Sequence, residues 1–206
     1  MKEIERELKV SRGSVSLWVR DVPLDERRRA ILALRTRMGP LIAGERKAAR
    51  AREVRRSYQE HGRRLARESD ASYAAGCMLY WAEGSKSRNV AQVVNSDPEL
   101  LAFFAGFLRT HFDVAPESMR LRCNLFADHL ERQHEIEEFW LARLELPRSS
   151  LTKSIVNSYS KYSQKKRKGK LPYGTARLSV YSSRIVQTIY GSIQEYGGFE
   201  RPAWLD

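Results

Sequence analysis

An apolar segment that ends in charged residues constrains this chain more than any other feature. Residues 76–86 read GCMLYWAEGSK, so a run of apolar side chains leads directly into Glu83, Gly84 and Lys86. The run predicts a helix over residues 73–83 that is buried along most of its length. Such a helix places one carboxylate, that of Glu83, at its exposed C-terminal end. A solvated glutamate followed by an ordinary glycine cap is the simpler interpretation.

Composition indicates a polyanionic partner. The chain has 206 residues, 42% of them hydrophobic, which is enough for one substantial core and a small additional unit. Its formal net charge of +12 points first to nucleic acid. No apolar run approaches membrane-spanning length and no signal-peptide pattern opens the chain, so we expect a cytoplasmic protein without a membrane partner. Cys77 and Cys123 have no metal-ligand spacing and are predicted to be free thiols.

Residues 1–23 predict two short helices around a tight turn. The first covers residues 2–8, and Ser11 is the expected N-cap of a second helix that runs through Arg20. Apolar residues recur three and four positions apart in this second helix and are predicted to pack inward. These residues are Val15, Trp18, Val19 and Val22.

Residues 24–68 are predicted to be a basic helical linker. A helix over 24–38 is expected to break at Gly39-Pro40, and an Arg/Ala-rich helix over 44–67 follows with almost no apolar face. A solvated charged helix is one interpretation of this pattern. The other is contact with nucleic-acid phosphates, for which we select Arg46, Lys47, Arg55 and Arg56.

Residues 69–206 alternate helical and strand patterns and predict an α+β domain built on an antiparallel sheet. The expected order is helix, strand, helix, strand, helix, strand, strand, helix. The ranges after the first helix are 90–95, 99–112, 119–126, 129–144, 152–159, 175–181 and 183–196.

The N-terminal sequence from Glu3 to Val19 resembles the turn and recognition helix of the helix-turn-helix family, close to its resolvase- and transposase-type members. The resemblance implies a left-handed backbone at Lys9, where the family usually has glycine. It also implies that Arg12, Ser14 and Ser16 face base edges in the major groove, with Arg20 nearer phosphate. The first helix of the trihelical unit is not represented in these residues, so either the start lies further upstream or residues 25–38 complete the core.

The segment 76–108, which continues from the acid-glycine pair into NSDPELL at residues 95–101, resembles the LAGLIDADG homing-endonuclease family. In that family two such helices pack side by side, each supplies one carboxylate to divalent metal, and the sheets straddle DNA. The resemblance implies that Glu83 is a catalytic acid and magnesium ligand, that Gly84 is the helix-end glycine, and that a homodimer supplies the second acid.

Further basic residues are candidates for contact with phosphate because of their position and charge. Lys86 is expected either to neutralise phosphate charge during cleavage or to cap the helix end. A lysine-rich segment between the last two predicted strands has like charges that repel unless phosphate is near, although a solvated loop is the alternative. Its selected residues are Lys161, Lys165, Lys166, Arg167 and Lys168.

The sequence therefore predicts a double-stranded DNA-binding homodimer of α+β class. A small N-terminal helix-turn-helix (1–23), a basic linker helix (24–68) and a LAGLIDADG-like antiparallel-sheet domain (69–206) make up the chain. Magnesium-dependent DNA cleavage is the sharper hypothesis. A non-catalytic transcription regulator and an RNA-binding basic protein are the alternatives. A bacterial or phage-encoded, nucleoid-associated protein fits all of these expectations.

Overall fold

The computed structural model describes residues 2–23, 25–157 and 171–206. The chain divides into an N-terminal unit, residues 1–50, and a C-terminal unit, residues 51–206. In the parts of the chain that are described, no helix combines the length and the apolarity that crossing a membrane requires.

Two short helices open the N-terminal unit. Helix α1 spans Lys2–Leu8 and helix α2 spans Arg12–Trp18. Lys9 between them has φ 52°, so the predicted left-handed turn is confirmed. Ser11 is the N-cap as predicted, because its side chain accepts a hydrogen bond from the backbone N–H of Ser14 at 3.2 Å. The two-helix prediction is thereby confirmed, while membership of the helix-turn-helix family stays a prediction.

The predicted inward stripe of α2 is largely wrong. Val15 is fully buried, but Trp18 and Val22 are 59% and 57% exposed. The physical reason is that α2 ends at Trp18 rather than at Arg20, so Val22 lies outside the helical spacing that the prediction assumed. Residues 25–38 do not complete this core either, since every residue from 25 to 38 is exposed.

Helix α3 spans Glu26–Glu68 without interruption, and the predicted break at Gly39-Pro40 is wrong. Proline inside a helix costs about 3 kcal/mol. Here the surrounding Ala, Leu, Arg and Glu residues favour helix strongly on both sides. Residues 26–50 are all exposed, so the proline ring meets no packed neighbour there.

The second half of α3 belongs to the C-terminal unit, which differs from the predicted boundary at 68/69. Gln59, Gly62 and Ala66 are buried in this half. A Cβ on Gly62 would lie 2.0 Å from the carbonyl oxygen of Thr188, and one on Gly191 would lie 2.0 Å from that of Gln59. The glycines therefore allow α3 to pack at very short range on the last helix of the chain, a contact that sequence periodicity does not reveal.

The order of elements predicted for the rest of the chain is confirmed. It is α4 Ala71–Glu83, β1 Ala91–Asn95, α5 Pro98–Phe112, β2 Arg120–Phe126, α6 Gln133–Leu144, β3 Ile155–Asn157, β4 Thr175–Val180 and α7 Ser183–Gly197. Short 3-10 turns lie at Pro116–Ser118, Ala127–Arg132, Arg148–Ser150 and Pro202–Leu205.

The four strands form one sheet in the order β1-β4-β2-β3. Strand β4 pairs antiparallel with both β1 and β2, whereas β3 pairs parallel with β2. The sheet is therefore mixed, and the prediction of an antiparallel sheet is corrected at this edge. The reason is that α6 lies between β2 and β3 in the chain and acts as the crossover that a parallel pair requires.

The core lies on one face of the sheet. Strand β2 alternates strictly, with Leu121, Cys123 and Leu125 buried, and β4 buries Ala176 and Leu178 on the same side. Side chains from α4, α5, α6 and α7 complete the same cluster. Cys77 and Cys123 are buried there as free thiols, as predicted. The opposite face of the sheet carries most of its polar side chains.

Candidate nucleic-acid interface

The second face of the sheet is polar, and its side chains form three rows across the strands. Because successive side chains of a strand point to opposite faces, the residues between the core positions share this face. The rows follow from the strand register and read Gln92–Ser179–Arg120, Val94–Arg177–Arg122 and Thr175–Asn124–Ile155.

The two outer rows satisfy their own polar groups. Ser179 Oγ donates to Gln92 Oε1 at 3.3 Å, and Asn124 Nδ2 donates to Thr175 Oγ1 at 3.3 Å. Arg120 Nη1 donates to the carbonyl oxygen of Met119 at 2.9 Å. These rows therefore hold the sheet face together without any ligand.

The central row differs, because two of its buried donors lack partners among the described residues. Arg122 and Arg177 are directly opposite each other on β2 and β4. Their Nε atoms are buried and have no hydrogen-bond partner among the described residues. Residues opposite each other in an antiparallel pair have Cβ atoms about 4.5–5.5 Å apart, and like charges at such a pair are destabilising. This row has the hydrogen-bond donors and the positive charge that an anion would complement.

Neither Arg122 nor Arg177 was selected from the sequence, although the necessary signal was there. The prediction of β2 as a half-buried strand already implied that Arg120, Arg122 and Asn124 share the outer face. The same alternation in β4 places Arg177 outward. What the sequence did not show is that β4 inserts between β1 and β2, because strand order depends on long-range pairing.

Glu83 lies where the sequence placed it, at the last residue of α4, and its side chain is exposed. Its Oε2 accepts a hydrogen bond from Asn95 Nδ2 at 3.2 Å. At the other end of the helix Asp70 is the N-cap, accepting from the backbone N–H of Tyr73 at 3.0 Å, and this hydrogen bond lowers the pKa of Asp70 below its ordinary value.

Gly84 follows the helix but does not use a left-handed conformation, since its φ is −74° and its ψ 148°. Glycine is required here for space. A Cβ at this position would lie 2.4 Å from the carbonyl oxygen of Tyr80. The backbone of Gly84 also bridges to Val93 of β1, so the glycine ties the end of α4 to the edge of the sheet.

Lys86 caps the C-terminal end of α4. Its Nζ donates to the carbonyl oxygens of Trp81 at 2.9 Å and Gly84 at 2.7 Å. Burial lowers the pKa of Lys86, and the charge of Arg201 lowers it further, while Glu83 opposes the shift. These two contacts are those of a helix cap, which was the alternative considered for Lys86. A role of Lys86 in neutralising phosphate charge stays a prediction.

Within the described residues of one chain, no group of three His, Cys, Asp or Glu side chains lies together to hold a metal ion. The magnesium site predicted at Glu83 would thus require carboxylates from two copies. Within one copy, Glu83 and Lys86 lie at the same end of α4, and Asn95 donates a hydrogen bond to Glu83.

The other predicted contact residues are spread over both units. Arg12, Ser16 and Arg20 are exposed, while Ser14 is half-buried. Arg46, Lys47 and Arg56 are exposed on α3, and Arg55 donates to the carbonyl oxygen of Leu205 within the protein. The remaining predictions, Lys161, Lys165, Lys166, Arg167 and Lys168, lie outside the described residues.

No protein-family model, no curated protein and no solved structure matches the chain.

Proposed function

We propose that the protein binds double-stranded DNA through the polar face of the sheet, with Arg122 and Arg177 on the phosphate backbone. The observation that carries this proposal is the central row, in which two opposed arginines have buried Nε atoms that find no partner in the described part of the chain. The net charge of +12 supports a polyanionic ligand. The exposed residues Arg12 and Ser16 of α2 would add base contacts.

Electrostatics at this row favours an anion with several acceptor oxygens. Arg122 and Arg177 are half-buried, so a phosphate can reach the exposed part of each side chain although the Nε atoms are buried. Its negative charge would relieve the repulsion between Arg122 and Arg177. The planar fork of arginine suits phosphate better than the ammonium of lysine does. Binding would therefore lower the electrostatic free energy of this row.

A homodimer is part of the proposal. One side of α4 carries an apolar stripe whose side chains are exposed or half-buried. The stripe consists of Ala75, Met78, Leu79 and Ala82. Two copies that pack through this stripe would bring two Glu83 side chains together, as the LAGLIDADG resemblance implies. The sheets of both copies would then present their arginine rows to one duplex.

The test is the salt dependence of binding. We expect the affinity of the full chain for a fluorescent duplex, measured by anisotropy, to fall steeply with salt. The Arg122→Gln/Arg177→Gln double variant should reduce the slope of log K against log salt by about 2, because roughly one unit is lost per phosphate contact. Arg143→Gln is the single-charge control, since Arg143 is exposed and paired with Glu99 on α5.

An unchanged slope in the double variant, or a reduction no larger than that of Arg143→Gln, would remove the sheet face as the binding surface. Competition with structured RNA is measured in the same assay. Stronger binding to RNA than to the duplex would favour the RNA-binding alternative.

DNA cleavage is a second candidate function, favoured by the exposed carboxylate of Glu83 at the end of α4. We expect magnesium-dependent cutting of a DNA library that is abolished in Glu83→Gln and retained in Glu145→Gln, an exposed acid on another element. Equal cutting by Glu83→Gln, or no cutting by the wild type, would leave a regulator that binds without cleaving.

A further inference from the structure

The first half of α3 carries an apolar stripe that lies entirely within the N-terminal unit. Its residues recur at the three- and four-residue spacing of a coiled coil. They are Ile31, Leu34, Met38, Leu41 and Ile42, and each is between 40% and 61% exposed. Gly39 and Pro40 fall outside the stripe, so the proline would not obstruct a partner helix.

We infer that this stripe, hereafter the α3 stripe, pairs with the same stripe of a second copy in a parallel, in-register coiled coil. Ile31 and Met38 would occupy a positions, and Leu34 and Leu41 d positions. If these side chains became fully buried, two copies would bury on the order of 900 Å², which is below the roughly 1,000 Å² that stable interfaces exceed. The stripe therefore supports a weak, reversible contact.

Charge decides between the two orientations. In a parallel pair, each g position faces the e position of the following heptad in the other copy, which sets Ala30 against Arg35 and Arg37 against Ile42. An antiparallel pair would set Arg35 against Arg35 and Arg37 against Arg37. Because like charges repel at such short range, the parallel arrangement is the one this helix permits.

Parallel pairing also bears on DNA binding. This part of the inference rests on the proposed function. Helices α1 and α2 precede the stripe in the chain, so a parallel pair brings both two-helix segments to one end. Two such segments related by a two-fold axis suit a DNA target with two half-sites. The pairing itself does not depend on DNA binding.

Cross-linking of the full chain tests the geometry. The Leu41→Cys variant should form a covalent dimer under mild oxidation, because d positions of a parallel pair are adjacent. The Arg35→Cys variant should not, since it would become adjacent to its equivalent only in an antiparallel pair. Native Cys77 and Cys123 do not interfere, because both are fully buried and burial raises the pKa of each thiol to about 12.

Sedimentation measures the strength of the same contact. We expect the Leu34→Gln/Leu41→Gln variant to weaken self-association by about a hundredfold. Leu32→Gln should leave it unchanged, because Leu32 is equally exposed on α3 but lies outside the stripe. Higher salt should strengthen this association by screening the arginines, opposite to its effect on DNA binding.

The inference is overturned by cross-linking through Arg35→Cys instead of Leu41→Cys, or by cross-linking through neither. It is also overturned if the Leu34→Gln/Leu41→Gln variant associates as strongly as Leu32→Gln, which is the result for a dimer held by α4 alone. A Leu41→Cys dimer that binds no duplex would instead retain the pairing and reject the proposed function.

Discussion

Arginines in the second half of α3 and arginines on the sheet have opposite surroundings. Arg63 is mostly buried and pairs with Glu200 at 2.7 Å, and Arg67 pairs with Glu195 at 2.7 Å. Arg122 and Arg177 oppose each other, and their Nε atoms have no partner within residues 2–23, 25–157 and 171–206. The sequence suggested the reverse, since the α3 arginines stand in the basic run and the sheet arginines do not. The difference teaches that the partners of a charge, rather than its local density, indicate whether it serves the fold or a ligand.

The largest expected effect concerns the packing of α3 on α7, which brings Arg63 and Arg67 to their acidic partners. Gly62→Ala places a Cβ 2.0 Å from the carbonyl oxygen of Thr188, so the helices must move apart. We expect the free energy of unfolding in urea to fall by about 3 kcal/mol. Gly39→Ala, in the exposed half of the same helix, should instead raise it by about 0.5–1 kcal/mol. Similar losses in both variants would mean that α3 does not pack closely on α7.

A smaller effect concerns Arg148, another paired arginine. Burial acts to raise the pKa of Glu137, but hydrogen bonds from Ser154 and Gln133 and the charge of Arg148 outweigh it, so the pKa lies below its ordinary value. The stabilisation that ionised Glu137 gives to the folded state is therefore complete above the ordinary pKa of about 4.5, which applies to the unfolded chain. It is lost as pH falls through the lower pKa of the folded state.

We expect Glu137→Gln to cost about 1–2 kcal/mol at pH 7 and to reduce the loss of stability on acidification, measured by urea unfolding between pH 7 and 3. Glu138→Gln is the matched control. Glu138 also pairs with Arg148 but is about half exposed, so its loss should cost less than 1 kcal/mol. Equal effects at the two positions would contradict the role given to burial.

The smallest effect tests the contrast between the two arginine groups directly. Arg63→Gln should lower the free energy of unfolding by about 1 kcal/mol, because Glu200 loses its partner, while Glu195 keeps Arg67. Arg177→Gln should raise it by roughly 0.5 kcal/mol in low salt without DNA, because the repulsion from Arg122 is removed. Thermal unfolding of both variants measures the two signs. A loss of stability in Arg177→Gln would show that Arg177 has a structural role.

The end of α4 was accessible from the sequence, but the arginine row of the proposed interface was not. The end of α4 was predicted with Glu83, Gly84 and Lys86 in their observed places, because an apolar helix and its termination are local features. The arginine row was missed, because it arises where β4 pairs with β2 and the two strands are far apart in the chain.

The sequence by itself determined the order of helices and strands and the two helices around the left-handed Lys9. Each of these follows from interactions between residues that are neighbours in the chain or lie within one helical turn. Tertiary structure alone decided that β3 runs parallel to β2 and which arginines form long-range ion pairs. Arg63 and Glu200 are 137 residues apart, so only the packing of α3 on α7 brings that ion pair into being.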